Sequence, residues 1–335
     1  MDVVLKIADD WLLDAVWARA VPLSAFAAPL SSKLAANTSS HTLLDESTWH
    51  ALVAHLPHPP LPANASLYLP GPVSAWPRDY IPRQLLSLSA ITIVGIYVLY
   101  FLFAGLSYYL IFNHEMMEHP RFLKNQVKLE IQCSINAFPG MTLLTLPWFQ
   151  AEVMGYTKLY DRIDEYGWTY LVLSVPLFLL FTDYGIYWVH RLLHHPLVYK
   201  YIHKPHHKWL IPTPFASHAF HPVDGYLQSV PYHVFIHVFP LHRYLYLGLF
   251  VLVNIWSILI HDSDMITGHF LEKVINGPAH HTLHHLYFTV NYGQYFTWAD
   301  RFGGSYRQPE SSLDPYLEVK ANKAANEKVA LGKQQ

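Results

Sequence analysis

The sequence predicts an all-α fold: polytopic membrane helices, about four to five spans, with a histidine-rich helical cap at one end. Three observations predict it. Hydrophobic residues make up 52% of the 335 and charged residues only 14%, against roughly 25% charged in an average soluble domain. Apolar runs long enough to cross a bilayer recur between residues 86 and 260. The pattern H-x-x-H-H, expected by chance about 0.1 times with this histidine content, occurs twice among the 23 histidines.

The same composition excludes several classes. A net charge of −2 provides no field to draw nucleic acid, so no nucleic-acid partner is expected. The single cysteine, Cys133, rules out an intramolecular disulfide and a cysteine-based zinc site.

Taken in chain order, residues 1–84 read as an irregular, short-helix tail rich in Pro, Ala, Ser and Leu. Asp9 and Asp10 near its start, with no basic stretch, argue against a cleaved signal peptide. Two sequons begin at Asn37 and Asn64 and accept glycan only if the tail is luminal. The run "LSLSAITIVGIYVLYFLFAGLSYYLIF", residues 86–112, exceeds the roughly 20 apolar residues that span a bilayer. Arg121, Lys124 and Lys128 follow it, which assigns that end to the cytoplasm and the N-terminal tail to the other side. A weaker segment, 138–155, contains Pro139, Gly140 and Pro147 and reads as re-entrant. Residues 168–189 form a second span, kinked at Pro176.

Residues 227–260 are apolar but broken by Pro231, Pro240, His242 and Arg243, so they read as two short legs of a hairpin, 245–260 the firmer. A hairpin returns the chain to its starting side and lets the clusters at 190–207 and 281–285 meet. Residues 85–315 thus read as one membrane domain. A polar tail, 316–335, carries Lys320, Lys323, Lys328 and Lys333 and is expected to be solvated and disordered at its end.

The clusters have metal-ligand spacing. Residues three and four apart share a helix face, which lets two imidazoles reach one ion about 2 Å from each nitrogen. His190 and His194 have that relation at the end of the second span; His203, His206 and His207, and His281, His284 and His285, form the two triplets. Eight imidazoles exceed the four that a zinc-type site takes, so two metal ions are expected, each with an open position.

His261 ends the last apolar run beside Asp262 and Asp264 and is a ninth ligand or a simple helix-end residue. His218, His221 and His280 are further ligands or donors that orient the ligand rings. Asp183, seven residues before His190 and close to the same helix face, either bonds a ligand imidazole or faces a watery cavity. His195 reads as a surface residue, and His233 and His237 as packing or a substrate wall. No catalytic side chain is expected beyond the metal ligands. The bland alternative is a set of interfacial histidines on amphipathic helices, unrelated to metal.

The segments "HRLLHHPLVYKYIHKPHH", "TPFASHAFHPVDGYLQSVPYH" and "HHTLHHLYFTVNYGQYFTWADRFGGSYR" resemble the membrane-bound fatty acid hydroxylase and sterol desaturase superfamily. Within it they are most similar to the C-5 sterol desaturases, over about residues 85–315. One departure is Trp298, Ala299, Asp300, where that family places the tryptophan directly before the aspartate. The resemblance implies a diiron centre in the endoplasmic reticulum membrane, facing the cytosol, with O2 as cosubstrate. It implies electrons from NAD(P)H through cytochrome b5 and its reductase, and a Δ7-sterol that loses hydrogen at C-5 and C-6 in ergosterol-type biosynthesis. An external donor agrees with the absence of a Gly-rich dinucleotide fingerprint from the sequence. The same ligands would serve a sterol C-4 methyl oxidase or a fatty acid hydroxylase. A membrane metal transporter, the rival of another class, would place its ligands at mid-membrane depth.

Overall fold

The computed structural model describes residues 1–26, 46–60 and 72–332; both sequons lie outside them. The chain divides into two compact units, Met1–Ile91 with Glu152–Met154, and Thr92–Ala151 with Gly155–Gln335.

In the first unit, α1 (Asp2–Ala8) runs through a π-helical turn (Asp9–Leu13) into α2 (Asp14–Ala20), and α3 (Glu46–Val53) follows. Residues 2–20 therefore run as one helical stretch in the segment whose sequence reads as an irregular, short-helix tail. The acidic residues that argued against a signal peptide anchor it. Buried Arg83 donates to Asp9 at 2.7 Å and to Asp14 at 2.5 Å, and Arg78 pairs with Asp10 at 2.7 Å. Arg83 and Asp9 are sequestered together, so each neutralises the other's desolvation cost. Composition along the chain does not reveal this pairing across some seventy residues.

α4 (Ile81–Leu110) carries its only charge, Arg83, in the first turn; its 30 residues span about 45 Å at 1.5 Å each, more than the hydrocarbon layer. α5 (Gln126–Val153) is an unbroken 28-residue helix that includes Pro139 and Pro147. The re-entrant reading of 138–155 is thus replaced by a continuous helix through residue 153: proline costs a helix one hydrogen bond, and packed neighbours tolerate that loss.

β1 (Leu159–Tyr160) leads to α6 (Gly167–Leu193), likewise continuous through Pro176, then to the single turn α7 (Pro196–Tyr199). α8 (Pro222–Val238), β2 (Leu241–His242) and α9 (Arg243–Ile260) form the expected hairpin, with β2 pairing in parallel with β1. The helices α10 (Pro278–Tyr287), α11 (Trp298–Gly303) and α12 (Tyr316–Gly332) complete the chain.

Among the described residues three helices, α4, α6 and α9, are long and apolar enough to cross a membrane. α5 carries Lys128 and Glu130, and α8 has 17 residues. Phe178 and Ile186 of α6, Phe235 and Ile236 of α8, and Leu249 and Val253 of α9 share one buried cluster. Gly185 permits the close α6–α8 approach, because a Cβ there would lie 2.8 Å from Pro231. The hairpin tip and β1 therefore sit at one end of α6, and His190 sits at the other.

The C-terminal tail is mostly exposed, and its last three residues lie outside the described ones. Residues 316–332 are helical, held by buried Val319 packed with Phe112 and Met116 and by Lys323 pairing with Glu118 at 3.2 Å. One apolar residue and a few ion pairs are enough to dock a helix whose sequence is otherwise polar.

Candidate metal centre

Four stretches of chain deliver the ligands. His190 lies in the last turn of α6 and His194 is its C-cap. His195 caps α7, its Nδ1 accepting from the Leu197 amide at 3.4 Å, and so turns the chain back towards the centre. A 3-10 turn, His206–Lys208, follows Pro205. His261 caps the C-terminus of α9, and α10 opens with Pro278 at its first position and presents His281, His284 and His285.

The rings fall into two groups: His190, His194, His203, His207 and His284, and His206, His261, His281 and His285. Within each, one ring nitrogen per residue lies within 4.8 Å of all the others. In the first group His207 Nε2 is 3.1 Å from the Nε2 atoms of His194, His203 and His284. In the second, His281 Nε2 is 2.9 Å from that of His261 and 3.1 Å from that of His285. Each triplet is split: His203 and His207 go to one group and His206 to the other, while His281 and His285 go to one and His284 to the other. The i, i+4 pair of each triplet stays together, and the residue three along from the first joins the other group.

His261, left open by the sequence, joins the second group. The hairpin brings it back.

The outer nitrogens fix the protonation of the rings. His190 Nδ1 donates to the Tyr292 carbonyl at 3.0 Å, His203 Nδ1 to Asp224 Oδ2 at 2.7 Å, and His284 Nδ1 to the Val290 carbonyl at 2.7 Å. His285 Nδ1 donates to the Trp209 carbonyl at 3.0 Å and His261 Nδ1 to the Ser257 carbonyl at 2.5 Å. A neutral ring whose Nδ1 carries the proton presents a bare lone pair at Nε2. His190 and His203 therefore face each other through two lone pairs 3.1 Å apart. Such an arrangement repels itself unless a cation sits between the nitrogens, and the donor set of the five-imidazole group fits a metal ion on that ground; the four nitrogens of the second group are gathered closely enough to hold another.

Burial, then the neighbouring imidazoles, hold His206, His207, His281, His284 and His285 well below the ordinary value of 6.5. Burial holds His261 at about 4. A histidine whose folded-state value is depressed adds stability above the unfolded value and loses it as pH falls through 6.5 towards the folded one. The metal-free chain is accordingly expected to melt at a lower temperature at about pH 5 than at about pH 7. An unchanged midpoint in a thermal scan would contradict buried, neutral rings.

The remaining sequence-predicted residues lie around the two groups. His218 is buried, with Nδ1 at 3.0 Å from Ser217 Oγ and Nε2 at 3.2 Å from Asn254 Oδ1. His221 caps α8, accepting from the Val223 amide at 3.3 Å. His280 is buried, and its side chain packs against Tyr306. None of the three joins either group. His233 stacks on Trp148, as expected of a packing residue.

Asp183 bonds no ligand ring. Its Oδ1 accepts from the amides of Gln294, Tyr295 and Phe296 at 3.1, 2.7 and 3.3 Å. It therefore holds the loop whose Tyr292 carbonyl receives His190. Asp300 does the same one step along, accepting from the amides of Tyr292 and Gly293, each at 2.8 Å. The displaced Trp298 stacks on Tyr184 with ring centroids 5.4 Å apart.

Asp224 was not singled out from the sequence, although it lies in a segment already quoted. Fully buried, it accepts from His203 Nδ1 and from Gln228 Nε2. The available signal was an acidic residue two places after Pro222, in the first turn of a helix that begins beside the clusters. Carboxylate partners of ligand histidines set the tautomer and raise basicity, and losing them costs about 10–100-fold in metal affinity. Asp224→Ala is expected to show a loss of that size in metal retained through dialysis, read by elemental analysis. Retention equal to the native chain would remove Asp224 from the centre.

The facing sides of α6, α8 and α9 are filled by packing against each other. An open groove of about 540 Å³ lined by Leu171, Val172, Val175, Pro176, His242 and Leu245 lies near the other end of α6. Pro176, its lining residue on α6 nearest the centre, is 14 residues from His190, or about 21 Å of helix, so the groove does not open onto the centre.

The sequence model of the fatty acid hydroxylase family matches residues 175–305, which contain all nine grouped histidines. The chain is 60% identical over 246 residues to a Delta(7)-sterol 5(6)-desaturase of Gibberella zeae, covering 73% of this chain and 76% of that one. It is 57% identical over 240 residues to lathosterol oxidase of Mus musculus, covering 71% and 80%. It is 48% identical over 318 residues to a Delta(7)-sterol 5(6)-desaturase of Leptosphaeria maculans, covering 93% and 88%. No solved structure matches it. With paired imidazole groups at the end of membrane-length helices and relatives of this likeness over more than two thirds of its length, the chain belongs to the fatty acid hydroxylase family of oxidoreductases, among the Δ7-sterol 5(6)-desaturases and lathosterol oxidases.

Proposed function

We propose that this chain introduces the C5–C6 double bond into the B ring of Δ7-sterols. The observation that carries the proposal is the sorting of nine imidazoles, eight of them buried and His194 half-buried, into two converging groups, in a chain whose relatives bear the names of that activity. His190, His194, His203, His207 and His284 would hold one iron, and His206, His261, His281 and His285 the other. When bound, the irons supply the activation of dioxygen that removal of hydrogen from an unactivated C–H bond requires. The chain's own part is to keep the ligand nitrogens neutral and aimed inward, and to bury the centre away from bulk water.

We assign this work to residues 85–315, in the endoplasmic reticulum membrane, with the centre on the cytosolic side and residues 1–84 luminal. Electrons come from NAD(P)H through cytochrome b5 and its reductase. The outcome, desaturation or hydroxylation, rests on how closely the second hydrogen is held, which the ligands themselves do not decide. A transporter reading is disfavoured because the groups gather at helix ends instead of lining the middle of a span.

The test is expression in cells that lack C-5 desaturation, followed by extraction of sterols. A 5,7-diene absorbing in the ultraviolet is expected. A hydroxylated or C-4 demethylated product without the diene would move the chain to another activity of the family.

A further inference from the structure

Two segments beside the centre turn apolar side chains outward, and hydrogen bonds fix how deep they lie. Asp183 of α6 receives the amides of Gln294, Tyr295 and Phe296, and Trp256 Nε1 of α9 donates to the Gln294 carbonyl at 2.7 Å. Asp183 lies seven residues before His190, about 10 Å of helix, and Trp256 five before His261, about 8 Å. Two membrane-length helices that carry their ligands at the end therefore place this loop on the span side of those ligands. Tyr295 agrees with that depth. It packs in the cluster shared by α6, α8 and α9, and its hydroxyl is 2.9 Å from that of Tyr232. Irregular backbone at membrane depth is tolerated only where its polar groups are paired within the protein, and Asp183 and Trp256 pair them.

The loop carries a second segment with it. Ile275 and Phe296 form an antiparallel bridge, the Thr297 amide donates to the Val274 carbonyl at 2.9 Å, and Thr297 Oγ1 donates to the Lys273 carbonyl at 2.7 Å. What the pair exposes is apolar. Phe270 is 84% exposed and Phe302 81%, and Leu271, Val274 and Trp298 are exposed as well. Trp298 stacks on Tyr184, which shares one outward face of α6 with exposed Leu180 and Trp188, four residues to either side. The patch is thus continuous with the face that α6 turns to lipid. Charge is sorted in the same sense: between residues 268 and 304 the carboxylates of Glu272 and Asp300 are buried, while Lys273 and Arg301 are exposed.

We propose that residues 270–274 and 298–302 form a ledge seated in the bilayer, in the leaflet at the ligand end of α6. Phe270, Leu271, Val274, Trp298 and Phe302 lie at the boundary of headgroups and acyl chains, and Lys273 and Arg301 reach the headgroups. Interfacial elements divide their side chains in this way, apolar ones into the acyl boundary and Lys or Arg on the polar side. With both acids turned inward, the ledge presents only positive charge, which favours anionic headgroups. The depth set by Asp183 and Trp256 argues for lipid over a second protein, because a partner would have to enter the bilayer to reach the patch.

The test uses the full chain in lipid nanodiscs. In a Cys133→Ser background, single cysteines replace Phe270, Phe302, Leu180 or Lys328, all exposed, and each is spin-labelled. Collisions are read with dioxygen, which concentrates in lipid, and with a water-soluble nickel chelate. Labels at 270 and 302 are expected to match that at 180, with nickel collisions about tenfold below those at 328. Nickel collisions equal to those at 328 would place the ledge in water, and shielding from both reagents would place it under another protein; either result overturns the proposal. The native chain gives a check free of substitutions. On irradiation, a lipid with a diazirine on its acyl chain is expected to label the peptides holding Phe270 and Phe302 as it labels those of α6, and labelling of α6 alone also overturns the ledge. None of these readouts needs sterol or turnover, so failure of the sterol reading leaves them intact.

Discussion

Replacing His206 with alanine is expected to abolish diene formation, by at least about 100-fold, in the cells described above. His206 belongs to the four-imidazole group, where its Nε2 lies 3.4 Å from that of His261 and its ring 4.8 Å from that of His285. Without it three nitrogens remain, one short of the usual complement. The effect is expected to be local: metal per chain should fall from about two to about one, because the other five rings are untouched. His261→Ala is expected to behave the same way, which is the sharper comparison, because the sequence left that residue undecided. Full diene yield with two metal ions in either variant would show that the group is not a site.

Asp183→Ala is expected to be the most destabilising single change in the centre's surroundings. Asp183 is fully buried, and one of its oxygens satisfies three consecutive amides of the loop that carries Tyr292. Alanine leaves those donors buried and unpaired at about 1–3 kcal/mol each, partly recovered by relaxation, so a net loss of about 3–5 kcal/mol is expected. The His190 Nδ1 bond to Tyr292 is expected to loosen with the loop, and metal binding to weaken along with folding. Asp183→Asn keeps an acceptor and is expected to fall between the two. Denaturation in nanodiscs and metal content measured together check this; a stable Asp183→Ala chain that binds metal normally would mean the loop is held by other contacts.

Much of the centre could be read directly because helical spacing is a local property. His190 with His194, His203 with His207 and His281 with His285 are all four apart, and a helical turn brings such pairs onto one face whatever the rest of the chain does. The apolar runs that became α4, α6 and α9 were equally visible, because a bilayer demands length and apolarity that little else in a sequence resembles. What the sequence does not show lies where stability comes from distant partners. The first twenty residues are helical around an Arg83–Asp9 pair, the last helix docks through Val319, and α5 absorbs two prolines through its neighbours.

The sequence by itself determined that imidazoles would gather at the ends of membrane-length helices, and eight of the nine that do, because composition and period carry that information residue by residue. Only the tertiary structure decided how nine rings divide between two sites, that His261 belongs to one of them, and that Asp183 supports a loop while Asp224 holds a ligand. Those outcomes depend on the α8–α9 return and on hydrogen bonds across 21 to more than 100 residues. Directional contacts of that span leave no periodic trace in the chain that makes them.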